Sequence, residues 1–248
     1  MPLLTTDAII LHAADYLESS RILRLVTREA GVQSVVARGA RGSGKRFGRA
    51  MDLFAEGQAQ IQFKPGRDLH ALNGFEVVVS RSGLASDLGR FAAASAVAEV
   101  VLRLVHDEAA PMLYLALVDG LDRLAAADGD AIAPVALATL WQVVAEVGFR
   151  PALSVCGECH AEIPPDEEVR FDPLAGGALC SRCGARGAGR RVPPSARAAI
   201  ARWVHGDFHM VESPEARAHQ RLFREFIGAY LPDARTLRAF ESWERGGW

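Results

Sequence analysis

The sequence lacks a long run of apolar residues. Its longest stretch without a charge, from Ala131 to Ala145, contains Pro134, Thr139 and Gln142 and is shorter than the ~20 apolar residues that a membrane-spanning helix needs. The N-terminus also lacks the basic segment and the apolar run of a secretory signal. We therefore expect neither a membrane protein nor a secreted protein, and we place the chain in the reducing cytoplasm.

Cysteine is scarce as well, because the 248 residues include four cysteines, arranged as two pairs. Cys156 and Cys159 form the first pair and Cys180 and Cys183 the second, in the pattern C-x2-C-x20-C-x2-C. Two thiolates that are two residues apart can hold one metal ion from a tight turn, and two such turns complete a tetrahedron. The pattern predicts one structural Zn²⁺ bound by these four cysteines. The alternative is a site in which His160 replaces one of the cysteines as a ligand.

Three other interpretations of the cysteines are weaker. Two disulfides are disfavoured in a reducing compartment. A thioredoxin-like redox pair would need a βαβ context and would leave the second pair unexplained. The segment from Cys156 to His160 also matches the attachment motif of a c-type haem, but that chemistry requires export.

Acidic residues are absent between Ala30 and Met51, although the whole chain has a net charge of −2. Residues 1–80 hold 10 basic against 8 acidic residues, whereas residues 81–150 hold 5 against 9. The acid-free segment is rich in glycine and contains Arg38, Arg41, Lys45, Arg46 and Arg49. We expect these cations to contact nucleic-acid phosphates, with Phe47 stacking on a base. An ordinary solvated loop is the alternative interpretation.

Patterns that carry catalysis are also missing. The segment from Gly39 to Arg46 follows the P-loop pattern except at its last position, where Arg46 replaces the hydroxyl residue that holds Mg²⁺. Phe47 and Gly48 then make a poor start for the helix that a P-loop requires. The sequence shows no Ser/His/Asp set, paired-carboxylate signature or HExxH motif. We therefore expect neither an ATP site nor an enzyme.

The hydrophobic periodicity divides the chain into four regions. About five short strands over residues 1–80 predict a small closed or nearly closed barrel. The period becomes helical over residues 81–150, with Asp87 as an N-cap and Pro111 and Pro134 opening two further helices. A segment rich in cysteine, proline and glycine spans residues 151–193. Helices resume over residues 194–248 and are expected to pack on the first helical region.

The last long helix is predicted from Pro214 to Leu231, with Ser213 as its N-cap. Its apolar residues share one broad face, and three arginines share the opposite face. The three arginines are Arg217, Arg221 and Arg224. A solvated surface is the favoured interpretation of this basic face, and a secondary DNA contact is the alternative.

The order of these elements resembles the bacterial recombination mediator and DNA repair protein family RecO, over essentially the whole chain. The matching segments are residues 9–12, 15–16 and 18–23, then 27–31 leading to 36–41, and residues 171–173 and 176–180 between the cysteine pairs. The sequence departs from the family pattern at three positions. Leu17 stands where glycine is usual before Glu18, Leu53 lies near a usual proline, and His160 replaces a customary glycine after the first cysteine pair.

The resemblance implies an α+β architecture in which an N-terminal OB-fold β-barrel binds DNA and is followed by an α-helical domain with an inserted zinc module. It implies binding to single- and double-stranded DNA, annealing of complementary strands, and loading of RecA onto DNA covered by single-stranded DNA-binding protein, together with RecR. It also implies no catalytic turnover and a cytoplasmic, nucleoid-associated protein. The alternatives are a zinc-containing DNA-binding regulator and a nucleic-acid-processing enzyme.

Overall fold

The N-terminal part of the chain forms a closed β-barrel in a computed structural model that describes residues 2–40, 47, 51–64, 66–186, 189–231 and 237–246. Its strands are β1 (Leu3–Tyr16), β2 (Ser20–Thr27), β3 (Gly31–Ala37), β4 (Glu56–Gln62) and β5 (Leu69–Val79). The strand order is β1-β2-β3-β5-β4, and β1 closes the barrel by pairing with both β2 and β4. All pairs are antiparallel except β3 with β5. This five-stranded Greek-key arrangement is that of an OB-fold and confirms the predicted barrel.

Alternation of side chains explains how the strands fill the barrel. In β4, Ala59 and Ile61 are fully buried in the interior, whereas Gln58 and Gln60 are exposed. Strand β1 buries residues on both faces, because Ile10 points into the barrel while Ile9 packs with the helices outside it. Strands β1 and β5, with 14 and 11 residues, are longer than the short strands that the sequence predicted, because their ends carry polar residues that alternation alone does not assign to strands.

Eight α-helices, one short 3-10 helix (Gly129–Ala131) and three further strands follow the barrel in the described chain. The helices are α1 (Ser82–Ala85), α2 (Leu88–Leu104), α3 (Pro111–Ala126), α4 (Ile132–Glu146), α5 (Ser181–Gly184), α6 (Pro194–Trp203), α7 (Ser213–Gly228) and α8 (Arg238–Arg245). The strands are β6 (Val169–Asp172), β7 (Gly177–Leu179) and β8 (Arg190–Val192), in the sheet order β7-β6-β8. The architecture is therefore α+β, with a small sheet and four cysteines inserted among helices.

Helix α2 begins at the predicted N-cap, whereas helix α7 does not. Asp87 is the N-cap of α2 as predicted, because its Oδ1 accepts a hydrogen bond of 2.8 Å from the backbone N–H of Arg90. Ser213 is not the N-cap of α7, since Glu212 occupies that position and Ser213 is already helical. The Ser213 hydroxyl donates instead to Asp130 over 2.7 Å. The Ser213 side chain, which the local pattern assigned to capping, therefore makes a tertiary hydrogen bond instead.

Trp141 lies at the centre of the helical core. This residue of α4 is fully buried, as expected for a helix that is apolar nearly all round. Its ring meets Phe223 and Phe226 of α7 at centroid distances of 5.1 and 5.2 Å, and Phe171 of β6 at 6.4 Å. One continuous core therefore joins α4, the C-terminal helices and the cysteine-bearing insert, and it fixes the insert against the helices.

A four-cysteine centre and a candidate nucleic-acid surface

The two cysteine pairs meet in space. The sulfur atoms of Cys156, Cys159, Cys180 and Cys183 all lie within 4.8 Å of one another, and the Sγ atoms of Cys159 and Cys180 are 3.8 Å apart. The four are free cysteines. Metal–sulfur bonds of ~2.3 Å in a tetrahedron place sulfur atoms about 3.8 Å apart, so the spacing suits one shared ion.

Each cysteine pair lies in a tight turn held by backbone hydrogen bonds. The N–H of His160 donates to the carbonyl of Cys156 over 2.9 Å, and the N–H of Gly184 donates to that of Cys180 over 2.8 Å. His160 has a positive φ of 58° and is exposed. Its ring is not among the donor atoms that cluster with the cysteines in the described chain. The described donor set is therefore four thiols.

The surroundings favour thiolates in the first pair. Burial raises the pKa of Cys156, but hydrogen bonds from the backbone N–H groups of Cys159, Cys180 and Glu158 outweigh it and lower that pKa to about 6. The pKa of Cys159 is lowered by the backbone N–H of Ala161 and by the side chain of Arg182. Burial and the three neighbouring cysteines instead raise the pKa of Cys183 to about 12. Metals bind the thiolate form, so a bound cation, rather than the surroundings alone, would hold all four sulfur atoms as thiolates.

The predicted cationic segment is partly outside the described residues. Arg38 is exposed in the turn that follows β3, next to Ala37, which pairs with Arg21 on β2. Arg41, Lys45, Arg46 and Arg49 lie outside the described residues. Nothing in the geometry therefore tests them as phosphate contacts, and Arg38 marks where the segment leaves the barrel.

Phe47 is buried inside the barrel rather than exposed for stacking on a base. Its side chain is 3% exposed and lies among the residues that fill the barrel interior, including Met51 and Leu23. A buried ring cannot stack on a base, so that expectation is wrong. Burial of an aromatic side chain removes a large apolar area from water. The free energy of this burial favours the barrel interior over an exposed position in the loop.

The three arginines of the last long helix lie on its exposed face, opposite Phe223 and Phe226. Arg224 forms an ion pair of 3.0 Å with Glu244 of α8. Arg217 lines a cavity of about 220 Å³ together with Asp130. Arg221 forms no ion pair within the part of the chain that the structure describes. One of these arginines is thus paired with a carboxylate of the protein itself, and a second shares a cavity with one.

Two arginines that the sequence did not single out also share a site. Arg24 of β2 and Arg103 of α2 line a cleft of about 290 Å³ between the outer face of the barrel and the helical region. No local pattern marks them, because they belong to different elements that only the tertiary fold brings together. Alternation in β2 places Arg24 on the outer face, which is the one signal in the sequence.

Two family models cover nearly the whole chain. The model described as "Recombination protein O N terminal" matches residues 1–81, and the model described as "Recombination protein O C terminal" matches residues 85–238. The chain belongs to the RecO family. Membership assigns it to DNA repair and recombination.

Relatives named DNA repair protein RecO match over most of their length. The chain is 38% identical to that of Anaeromyxobacter sp. (strain K) over 232 residues, which cover 90% of this chain and 88% of the relative. It is 34% identical to that of Symbiobacterium thermophilum over 252 residues, covering 98% and 96% of the two chains. The relative from Myxococcus xanthus is 32% identical over 228 residues, with 91% of each chain covered. Among the described residues, no helix is both long enough and apolar enough to cross a membrane.

Three non-glycine residues of the described chain have a left-handed backbone conformation. Leu17 has a φ of 53° and His160 a φ of 58°. Phe54, which follows Leu53, has a φ of 68°. Glycine takes this left-handed conformation without steric strain, whereas other residues do not. These turns of the chain therefore hold non-glycine residues in a conformation that favours glycine.

Proposed function

We propose that this RecO-family chain is a non-enzymatic recombination mediator. It would bind single- and double-stranded DNA, anneal complementary strands, and help load RecA onto single strands covered by single-stranded DNA-binding protein, acting with RecR. Family membership over nearly the whole chain is the observation that carries the proposal. We further propose a cytoplasmic protein associated with the nucleoid.

The charge distribution supports different binding partners for the barrel and for the helical region. The barrel region has an excess of basic residues, and the acid-free segment begins at the exposed Arg38. Residues 81–150 have an excess of acidic residues, which repel phosphates and suit contacts with protein partners. We propose that DNA follows the barrel and that the helical region serves the protein partners.

We propose that the four-cysteine centre holds one Zn²⁺ with a structural role. Four thiolates in two tight turns match the donors of closed zinc sites, which leave no open position for substrate. The ion would join the turn of Cys156 and Cys159 to that of Cys180 and Cys183. It would thereby stabilise the insert, because metal binding and folding of such modules are coupled.

Strand annealing and nucleotide hydrolysis measured on one purified sample test the mediator function. We expect the protein to accelerate annealing of complementary single strands and to hydrolyse no ATP, since Arg46 stands where a P-loop needs a hydroxyl. A sample that fails to bind or anneal single strands would refute the mediator function. ATP turnover that disappears in Lys45→Ala would refute the absence of an ATP site.

A triple substitution tests the cationic segment as the principal DNA surface. Replacing Arg38, Arg41 and Arg46 by alanine should reduce the salt dependence of single-strand binding, because the logarithmic slope falls by ~0.7 for each phosphate that the protein no longer neutralises. The change should be about two units in slope with little loss of thermal stability. Binding should be largely independent of sequence, since contacts to phosphates carry no base information.

The matched control removes the same number of charges from the C-terminal helix. We expect replacement of Arg217, Arg221 and Arg224 by alanine to change single-strand binding and its salt dependence less than the segment variant does, because Arg224 already pairs with Glu244. If this control abolishes binding while the segment variant keeps the wild-type slope, the DNA surface lies on the helical region instead.

A further inference from the structure

The cleft between the barrel and helix α2 combines an apolar wall with two cations. Leu53 and Leu102 contribute to the wall, and Arg24 and Arg103 lie at the same opening. The volume of about 290 Å³ approaches the lower end of the range for small-ligand pockets, about 300 Å³. The site is thus large enough for a group that is partly apolar and partly anionic.

The two arginines have no carboxylate partner among the described residues. Arg24 is half-buried and donates from Nη2 to the carbonyl of Leu102 over 3.2 Å, while Arg103 is exposed in the last turn of α2. Burial lowers the pKa of Arg24, and the like charge of Arg103 lowers it further. An anion placed between two such cations would relieve both their repulsion and the cost of partial burial.

Glu99, the acidic residue that lines the cleft, is already engaged elsewhere. Its Oε2 accepts hydrogen bonds from the backbone N–H groups of Ala239 and Phe240, over 2.9 and 3.1 Å. These N–H groups belong to the first turn of α8, where a carboxylate is stabilised by the helix dipole. Glu99 therefore caps α8 and does not form an ion pair with either arginine.

We propose that this cleft binds one nucleotide of single-stranded DNA, with its phosphate between Arg24 and Arg103 and its base against the apolar wall. The proposal rests on the DNA-binding function proposed above and extends the DNA path from the barrel onto helix α2. Duplex DNA would not use the cleft, because its bases are paired and stacked within the helix.

The cleft and Arg38 lie along neighbouring strands of the barrel. Arg24 pairs with Ser34 on β3, so both side chains lie on the outer face of the sheet. Arg38 follows four residues later, which corresponds to about 13 Å along an extended chain. One strand of DNA can therefore contact the turn at Arg38 and enter the cleft without leaving this face of the barrel.

Charge removal is the first test, with the full-length protein and an oligo-dT single strand as the probe. Arg103→Gln and Arg24→Met should each weaken binding and reduce the logarithmic salt slope by about 0.7. Arg28→Gln is the control, because Arg28 is an exposed arginine just beyond the end of β2 that already pairs with Asp7 over 3.8 Å. A wild-type slope in Arg103→Gln, or an equal loss in Arg28→Gln, would overturn the proposal.

Filling the cleft is the second test. Ser95 of α2 lines it and is half-buried, so Ser95→Phe should occupy the space of the base. Single-strand binding should weaken, because the apolar wall is no longer open to the base, while duplex binding should not change. Equal losses for single strands and duplex would overturn the proposal.

Two further outcomes separate this site from the rest of the function. If the cleft variants bind single strands like wild type but lose binding to polyglutamate, the cleft serves an acidic protein and the nucleotide assignment is wrong. In that case the mediator function still stands. If wild-type protein binds no single strand at all, the proposed function fails first, and the cleft proposal fails with it.

Discussion

Arg81 donates from Nη2 to the carboxylate of Glu56 over 2.7 Å, and its side chain is 2% exposed. The same guanidinium donates to Asp122 over 2.6 Å and to the carbonyl of Phe54 over 3.1 Å. Burial would lower the pKa of Arg81, but the two carboxylates raise it. Glu56 belongs to the barrel and Asp122 to helix α3, so one buried cation joins the two regions.

Removing this cation should destabilise the whole protein. Arg81→Met leaves the half-buried Glu56 without its cation, although the Tyr114 hydroxyl still donates to it over 3.1 Å. Breaking a buried ion pair from one side costs about 3–5 kcal/mol. The free energy of unfolding, measured by chemical denaturation, is the readout. Arg123→Met is the control, because the exposed pair of Arg123 with Asp119 is worth about 0.3–0.5 kcal/mol. Similar losses in both variants would contradict a special role for Arg81.

Metal analysis tests the four-cysteine centre. We expect one zinc per chain in the wild type and a loss of several kcal/mol on Cys180→Ser, because metal binding supplies folding energy to the insert. Ser181→Ala, beside the same turn, should retain both metal and stability. A wild-type preparation with far less than one zinc equivalent, or with haem absorbance, would refute the assignment.

Acid should weaken the fold through His219. This ring is 2% exposed, neither of its nitrogens has a hydrogen-bond partner among the described residues, and its centroid lies 4.8 Å from that of Trp203. Burial lowers the pKa of His219 from 6.5 to about 4. As the pH falls from 6.5 towards 4, His219 is therefore protonated in the unfolded chain but stays neutral in the folded chain.

The contribution of His219 is fully present above pH 6.5 and is lost below it, with a slope of about 1.4 kcal/mol per pH unit. Unfolding free energies at pH 7.5 and pH 5 should differ by about 2 kcal/mol more in the wild type than in His219→Phe. An identical pH dependence in both proteins would show that His219 does not carry the effect.

Leu17 offers a test of backbone strain. It is 73% exposed with a φ of 53°, so little packing is lost when its side chain is removed. A left-handed conformation costs a non-glycine residue about 1–2 kcal/mol, and the added flexibility of glycine costs about 0.5–1 kcal/mol. Leu17→Gly should therefore leave the melting temperature unchanged or raise it.

Leu174→Gly is the matched control for Leu17. Leu174 is 89% exposed but is not among the described non-glycine residues with a positive φ. Glycine there should lower stability by about 0.5–1 kcal/mol, since no strain is relieved. If both variants lose stability equally, the conformation of Leu17 is not strained.

The sequence by itself determined the features that depend on local periodicity and spacing. Alternation in β4 defined the barrel interior, Asp87 defined the start of α2, and the apolar run around Trp141 defined a buried helix. The spacing from Cys156 to Cys183 predicted a shared centre, because paired thiols in tight turns have few other uses in a reducing compartment. These are short-range constraints, and they act in the same way in any fold.

The tertiary structure alone decided which side chains are available for function. Phe47 fills the barrel, and the Ser213 hydroxyl bonds to Asp130 rather than capping its helix. Arg24 and Arg103 share a cleft although they belong to different regions of the chain. Burial and partner choice depend on what lies opposite each residue, and residues far apart in sequence come opposite one another only when the chain has folded.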